Sequence, residues 1–281
     1  MGLILVAALT PMAVAQRVNS IKPSLTDIEN VGKRDINKGS INFTSLPAEA
    51  AMGSQAAAQL ELNVTLVNDA SIVDYVNRIA QNIARNSDSS FPITIKLIRS
   101  DDPNPIALPG GLIYVTTGTI RSVNNEAELA WNIAQMVGHV AARHTTENNS
   151  KATMLQIATI PAIANGTVLN PAALQQATPI GIPISVFRFS QDAQREADFL
   201  GLQYLYKAGY DPQAAITNLK NVEAAEGPAV QSPLFSPVIP AAIRIKTTTE
   251  NISSFLPARA TSVLNTPEFD SIKKQTTQSA K

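Results

Sequence analysis

The strongest constraint in this chain is a helical repeat. From Asn125 to His144, the residues Leu129, Ala130, Ile133, Ala134, Val137, Val140 and Ala141 recur every three or four positions, so one face is apolar throughout. Asn125 fits an N-cap, and Glu128 three residues on completes a capping box. The spacing predicts a helix of about 20 residues. Cysteine is absent, so disulfides cannot hold the fold, and thiolate zinc sites and thiol catalysis are excluded. Apolar residues make up 44 % of the 281, enough to bury a real core around this helix.

The rest of the chain supplies the partners. Ser45 caps a predicted helix over about 47–60, and Ile72, Val73, Val76, Ile79, Ala80 and Ile83 mark another over about 71–86. The alternating, branched run Ile93 to Ile98 predicts a strand. Pro109-Gly110-Gly111 predicts a turn, and Leu112 to Thr117 a second strand. Ser190 caps a helix over about 191–208, closed by Gly209, and Asp211-Pro212 opens one more that stops at Gly227-Pro228. Residues 150–189 are apolar and punctuated by Pro and Gly, and predict helix pieces and loops. The order predicts an α+β fold, mainly helical, with a small sheet.

Leu3 to Ala15 is an apolar stretch ending in Ala13-Val14-Ala15, the small-x-small pattern of a signal-peptidase site. It is shorter than the roughly 20 residues that span a bilayer, and no later segment is long and apolar enough to be a transmembrane helix. The expected organisation is a signal peptide over 1–15, an extension over 16–44, one domain over 45–256 and a polar C-terminal tail over 257–281, a short appendage and then a frayed end. A buried N-terminal helix is the other reading of the leader. Export predicts a periplasmic or secreted protein. Lys plus Arg and Asp plus Glu are both 22, with no basic run, which argues against nucleic acid as a partner. Nothing in the sequence specifies an oligomeric state.

His139 and His144 are the only histidines, so a three-histidine metal site is impossible. Gln135 and His139, four residues apart, share a helix face. Around them stand Gln135-Met136-Val137-Gly138-His139, Leu108-Pro109-Gly110-Gly111 upstream, and Arg195-Glu196-Ala197-Asp198 downstream. Taken together from about Ser45 to about Leu256, these blocks resemble metallopeptidase family 48, the group of CAAX prenyl, heat-shock membrane and periplasmic quality-control proteases.

The resemblance implies a zincin-like domain and zinc as cofactor. It places the first zinc histidine on Gln135, the general-base glutamate on Met136, the second zinc histidine on His139 and the third ligand on Gln194. Asp198 keeps its place as a partner to the ligands. Zinc takes His, Cys, Asp or Glu in such sites, and Met136 cannot accept a proton from water. His144, five residues from His139, lies about 140° around a continuous helix and cannot complete the set. A hydrogen-bonded interior histidine is the alternative role for His139. The expectation is therefore an exported pseudopeptidase without zinc or proteolysis. It would bind extended peptides or unfolded envelope proteins along Leu112, Ile113, Tyr114, Val115 and Thr116, if these form an edge strand. The alternative is an active zinc-dependent metalloendopeptidase of the same family, and a third reading is a purely structural envelope protein.

Overall fold

The computed structural model describes residues 25–150, 189–225 and 239–278. The predicted signal peptide and nearly all of the 150–189 segment lie outside the described residues.

Helix α1 (Leu46–Glu61) starts where Ser45 accepts a hydrogen bond from Ala48 N–H, and α2 (Ala70–Arg85) starts at Asp69, which accepts from Ser71 and Ile72. Strands β1 (Thr94–Ile98), β2 (Ile106–Ala107) and β3 (Leu112–Thr116) follow, then the short helix α3 (Thr117–Ser122). Helix α4 (Glu126–Ala141) is capped by Asn125, and α5 (Gln191–Lys207) by Ser190. Helices α6 (Gln213–Ala225), α7 (Ala241–Phe255) and α8 (Pro267–Gln278) complete the described fold. The architecture is the expected α+β one, mainly helical with a small sheet.

Helix α4 is the axis of the molecule. Every residue in it except Asn132 is buried, which explains why its apolar pattern runs so far round. Helix α5 lies against it at very close range, because at two points a glycine of one helix meets the backbone of the other. A Cβ on Gly138 would come 2.8 Å from the Ala197 carbonyl oxygen, and one on Gly201 would come 2.9 Å from Gln135 Cα. Without side chains there, the two backbones approach closely enough to set Gln135 and Asp198 side by side.

The sheet order is β1-β3-β2, with β1 parallel and β2 antiparallel to β3. This corrects the expected edge strand. Leu112, Ile113, Tyr114, Val115 and Thr116 form the central strand, paired with β1 along its whole length and with β2 at Ile113 and Tyr114. Sequence composition cannot separate a central from an edge strand, and the partner β2 is only two residues long. Tyr114 is fully buried and donates its hydroxyl to Glu61 at 2.5 Å.

Both ends depart from expectation. Leu25, Ile28, Val31 and Ile36 of the extension enter the main core. Asp88 ties that segment down, accepting from Gly32 N–H at 2.7 Å and from the Arg34 guanidinium at 2.5 Å. At the other end, the expected short appendage is a docked helix, α8, which buries Phe269 and Ile272. Two apolar side chains at i and i+3 suffice to dock a polar helix. Thr266 donates to the buried Glu126, which also accepts from Tyr75 at 2.9 Å and Tyr210 at 3.0 Å.

Candidate active site

Helices α4 and α5 bring together Gln135, His139, Gln194 and Asp198. Their polarity is organised by Asp198. Its carboxylate accepts from the Gln135 side-chain amide and from the Gln194 side-chain amide at 3.0 Å. Arg244 of α7 donates to it twice, both at 2.8 Å. The Asp198 and Arg244 side chains are 9 % and 14 % exposed, so the pair is largely withdrawn from water. Two carboxamides and a guanidinium therefore converge on one carboxylate and tie three helices together. Met136 is buried and belongs to the hydrophobic core.

His144 is the principal surprise. The expected helix over 125–144 ends at Ala141, and Arg143 takes φ of 56°. That is left-handed backbone, uncommon for a residue with a Cβ. Two contacts hold it: the Arg143 guanidinium donates to Glu49 at 2.7 Å and to the Thr44 carbonyl at 2.5 Å. After the reversal, residues 144–150 are helical again, and His144 returns to His139. Their Nδ1 atoms are 3.0 Å apart, and His144 Nε2 lies 3.4 Å from Glu196 Oε2. The 140° separation holds only for an unbroken helix, and no Gly or Asn at position 143 announces the break.

The ring of Phe189 stacks on His139 with centroids 3.6 Å apart. His139 is buried; among the described residues no hydrogen bond of normal geometry reaches its Nε2, and Gln194 is the neighbour that favours a proton on the ring. Burial, then His144 and Arg244, push its pKa well below the ordinary histidine value. Glu49 is also buried, and there burial outweighs its contacts with Thr146 and Arg143 and raises its carboxyl pKa.

His139 shares a small pocket with Glu49, Arg143 and Ala107-Leu108-Pro109. Strand β2 thus stands beside the site with its outer edge. Leu108 N–H bonds the Leu112 carbonyl at 2.8 Å, and Ala107 pairs with Ile113. Antiparallel ladders alternate, so Ala107 is a non-hydrogen-bonded partner whose own N–H and C=O point away from β3. The ladder leaves the N–H and C=O of Ala107 on the side of β2 away from β3, and the preceding alternation in Pro105-Ile106-Ala107 is too short to have marked this strand.

The donors can be tested against zinc. Gln135, His139 and Gln194 offer one imidazole and two neutral carboxamides, and both carboxamide N–H groups are engaged by Asp198. Catalytic zinc takes three ligands from His, Cys, Asp or Glu. The set at these positions does not fit it.

A profile for peptidase family M48 matches residues 70–257, more than half of the chain. The chain is 28 % identical over 223 residues to the beta-barrel assembly-enhancing protease of Escherichia coli (strain K12), covering 75 % of this chain and 45 % of that protein. It is 28 % identical over 187 residues to the protein of the same name from Yersinia pestis, covering 64 % and 38 %. It is 31 % identical over 158 residues to the mitochondrial metalloendopeptidase OMA1 of Schizosaccharomyces pombe, covering 54 % and 44 %. The chain spans less than half the length of these curated relatives. They correct one expectation. Relatives named as a protease and a metalloendopeptidase stand against the pseudopeptidase reading and favour its alternative, a metalloendopeptidase of the same family.

Proposed function

The chain belongs to peptidase family M48, and on that premise we propose that it acts on polypeptides of a cell envelope as a metalloendopeptidase. The single observation that carries this is the family match over 70–257, with relatives named for proteolysis on either side of the bacterial–mitochondrial divide. The envelope is supported by the name of the bacterial relatives, which refers to β-barrel assembly, and by the predicted leader. No helix among the described residues is long and apolar enough to cross a membrane.

The residues of this chain supply the holding of a substrate. An extended segment pairs with the outward N–H and C=O of Ala107, in the manner of strand addition. That places it across the pocket shared by His139 and Glu49. Arg143 keeps Glu49 in place, and the Asp198 network keeps α4, α5 and α7 in register behind the pocket. The family implies zinc as the group that activates water. Because Gln135 and Gln194 do not fit it, no hydrolytic step follows from a metal held at those positions.

The test is direct. The full chain is incubated with an unfolded β-barrel protein, with and without added zinc and with a chelator. Metalloendopeptidase action gives fragments with internal cuts that the chelator suppresses. A substrate left intact with zinc supplied contradicts the proposal.

A further inference from the structure

We propose that Glu49 is a positioning residue that holds the outer edge of β2 at a set distance from the turn after α4, beside His139. It thereby fixes the width of the cleft that an extended polypeptide enters. The inference rests on the reading of that edge as the place where polypeptide pairs.

Glu49 lies in the first turn of α1, and its side chain is only 2 % exposed. Its carboxylate meets donors from both walls of the pocket. From the α4 side, Arg143 Nε donates to it at 2.7 Å and Thr146 Oγ1 at 2.8 Å. From the β2 side, it accepts from the backbone N–H of Gly110, in the turn that follows Ala107 and Leu108. That turn is seated on α1 with no side chain between them. A Cβ on Gly110 would come 2.7 Å from Ala50 Cα, and one on Gly53 would come 1.9 Å from the Pro109 carbonyl oxygen. Glu49 and Gly53 are four residues apart and share a helix face, so α1 holds the turn at two successive levels. The edge of β2 therefore rests on α1, and Glu49 is where α1 is joined to the segment after α4.

Two costly features meet here, both in the lining of the pocket. An ion pair taken out of water is often no more stabilising than apolar side chains of similar volume. The left-handed backbone at Arg143 is strained for a residue with a Cβ. Neither is needed merely to fill the space between α1 and α4. Together they aim Arg143, Thr146 and Gly110 at one carboxylate, which accepts on both oxygens and satisfies all three. Apolar side chains would pack there but would let the turn slide past the end of α4. The hydrogen bonds admit one spacing. The segment leading into α1 secures the same wall: Asn42 donates to Thr146 at 2.8 Å, and Arg143 donates to the Thr44 carbonyl at 2.5 Å.

Amide hydrogen exchange of the full chain, read by NMR, reports the two walls separately. Leu108 N–H, bonded to the Leu112 carbonyl, and Gly110 N–H mark one wall. Arg143 and Glu147 N–H, bonded to the Val140 and Arg143 carbonyls, mark the other. Glu49→Gln keeps the size of the side chain but turns one accepting oxygen into a donor. It should speed exchange at both walls by about tenfold beyond the change at buried Leu200 of α5, the scale of losing one hydrogen bond. Thr146→Val removes a donor from the α4 side alone, and should speed exchange at Gly110 on the opposite wall. An extended peptide should bind Glu49→Gln more weakly than Phe269→Ala, which removes a buried ring of α8 away from the pocket. Exchange that changes no more than at Leu200, or a rise confined to the altered wall, overturns the proposal. Equal peptide affinity in the two variants also overturns it. If Glu49→Gln does not fold, Thr146→Val decides. If the wild-type chain binds no peptide, the reading of the β2 edge fails, while the exchange rates still decide whether Glu49 couples the walls.

Discussion

Gly138 of α4 packs directly on Ala197 of α5, with room for a hydrogen but not for a methyl group. This contact brings Gln135 and Asp198 together and is the mechanical basis of the site. Gly138→Ala should force the helices apart. Overpacking of this kind costs about 1–3 kcal/mol, set against the small gain in helix propensity. Chemical denaturation should show a lower midpoint with an unchanged slope.

Asp198 receives Gln135, Gln194 and Arg244 at once. Asp198→Ala removes the acceptor that all three share and leaves a largely buried guanidinium without its carboxylate. Breaking a buried pair from one side costs about 3–5 kcal/mol. Thermal unfolding should fall markedly, and Asp198→Asn should lie between, since one carbonyl oxygen remains to accept.

The outer edge of β2 is the proposed point of substrate pairing. Ala107→Pro removes the N–H that points away from β3 without touching a β2–β3 hydrogen bond. It should weaken binding of an extended peptide, measured by fluorescence anisotropy, while the circular dichroism spectrum is retained. The corresponding change in β3, Tyr114→Pro, should unfold the sheet, because that strand is paired on both sides.

Glu61 gives a pH signature. Its hydrogen bond to Lys96, then that to Tyr114, lowers its pKa below the ordinary value of 4.5. A lowered acid binds fewer protons when folded, so its contribution is complete above pH 4.5 and is lost as pH falls through the folded value. Lys96 is 39 % exposed and Glu61 26 %, so the effect is modest, below about 1 kcal/mol. Glu61→Gln should flatten that part of the stability–pH curve, followed by denaturation midpoints.

Much of this arrangement was legible in the sequence. The caps at Ser45, Asn125 and Ser190 and the apolar period of α4 placed the helices that carry Gln135, His139, Gln194 and Asp198. What escaped has physical reasons. Arg143 adopts a left-handed turn through contacts with Glu49 and Thr44, nearly a hundred residues away in the chain, and no local signal encodes it. His144 therefore looked remote from His139. Strand β3 read as an edge because its second partner, β2, is too short to show a period. Helix α8 read as a tail because only Phe269, Ile272 and Thr276 are buried in it. The residues Gln135, Met136 and Gln194 pointed toward a domain that does not cleave, whereas the relatives carry the names of proteases.

The most direct measurement is the initial rate at which the full chain cuts an unfolded β-barrel protein, compared with His139→Ala under the same conditions. The proposed function predicts internal cuts by the wild-type chain and a marked loss in the variant, because His139 lines the pocket across which the substrate is held. Wild-type protein that makes no cuts, or a variant that cuts at the same rate, would contradict it.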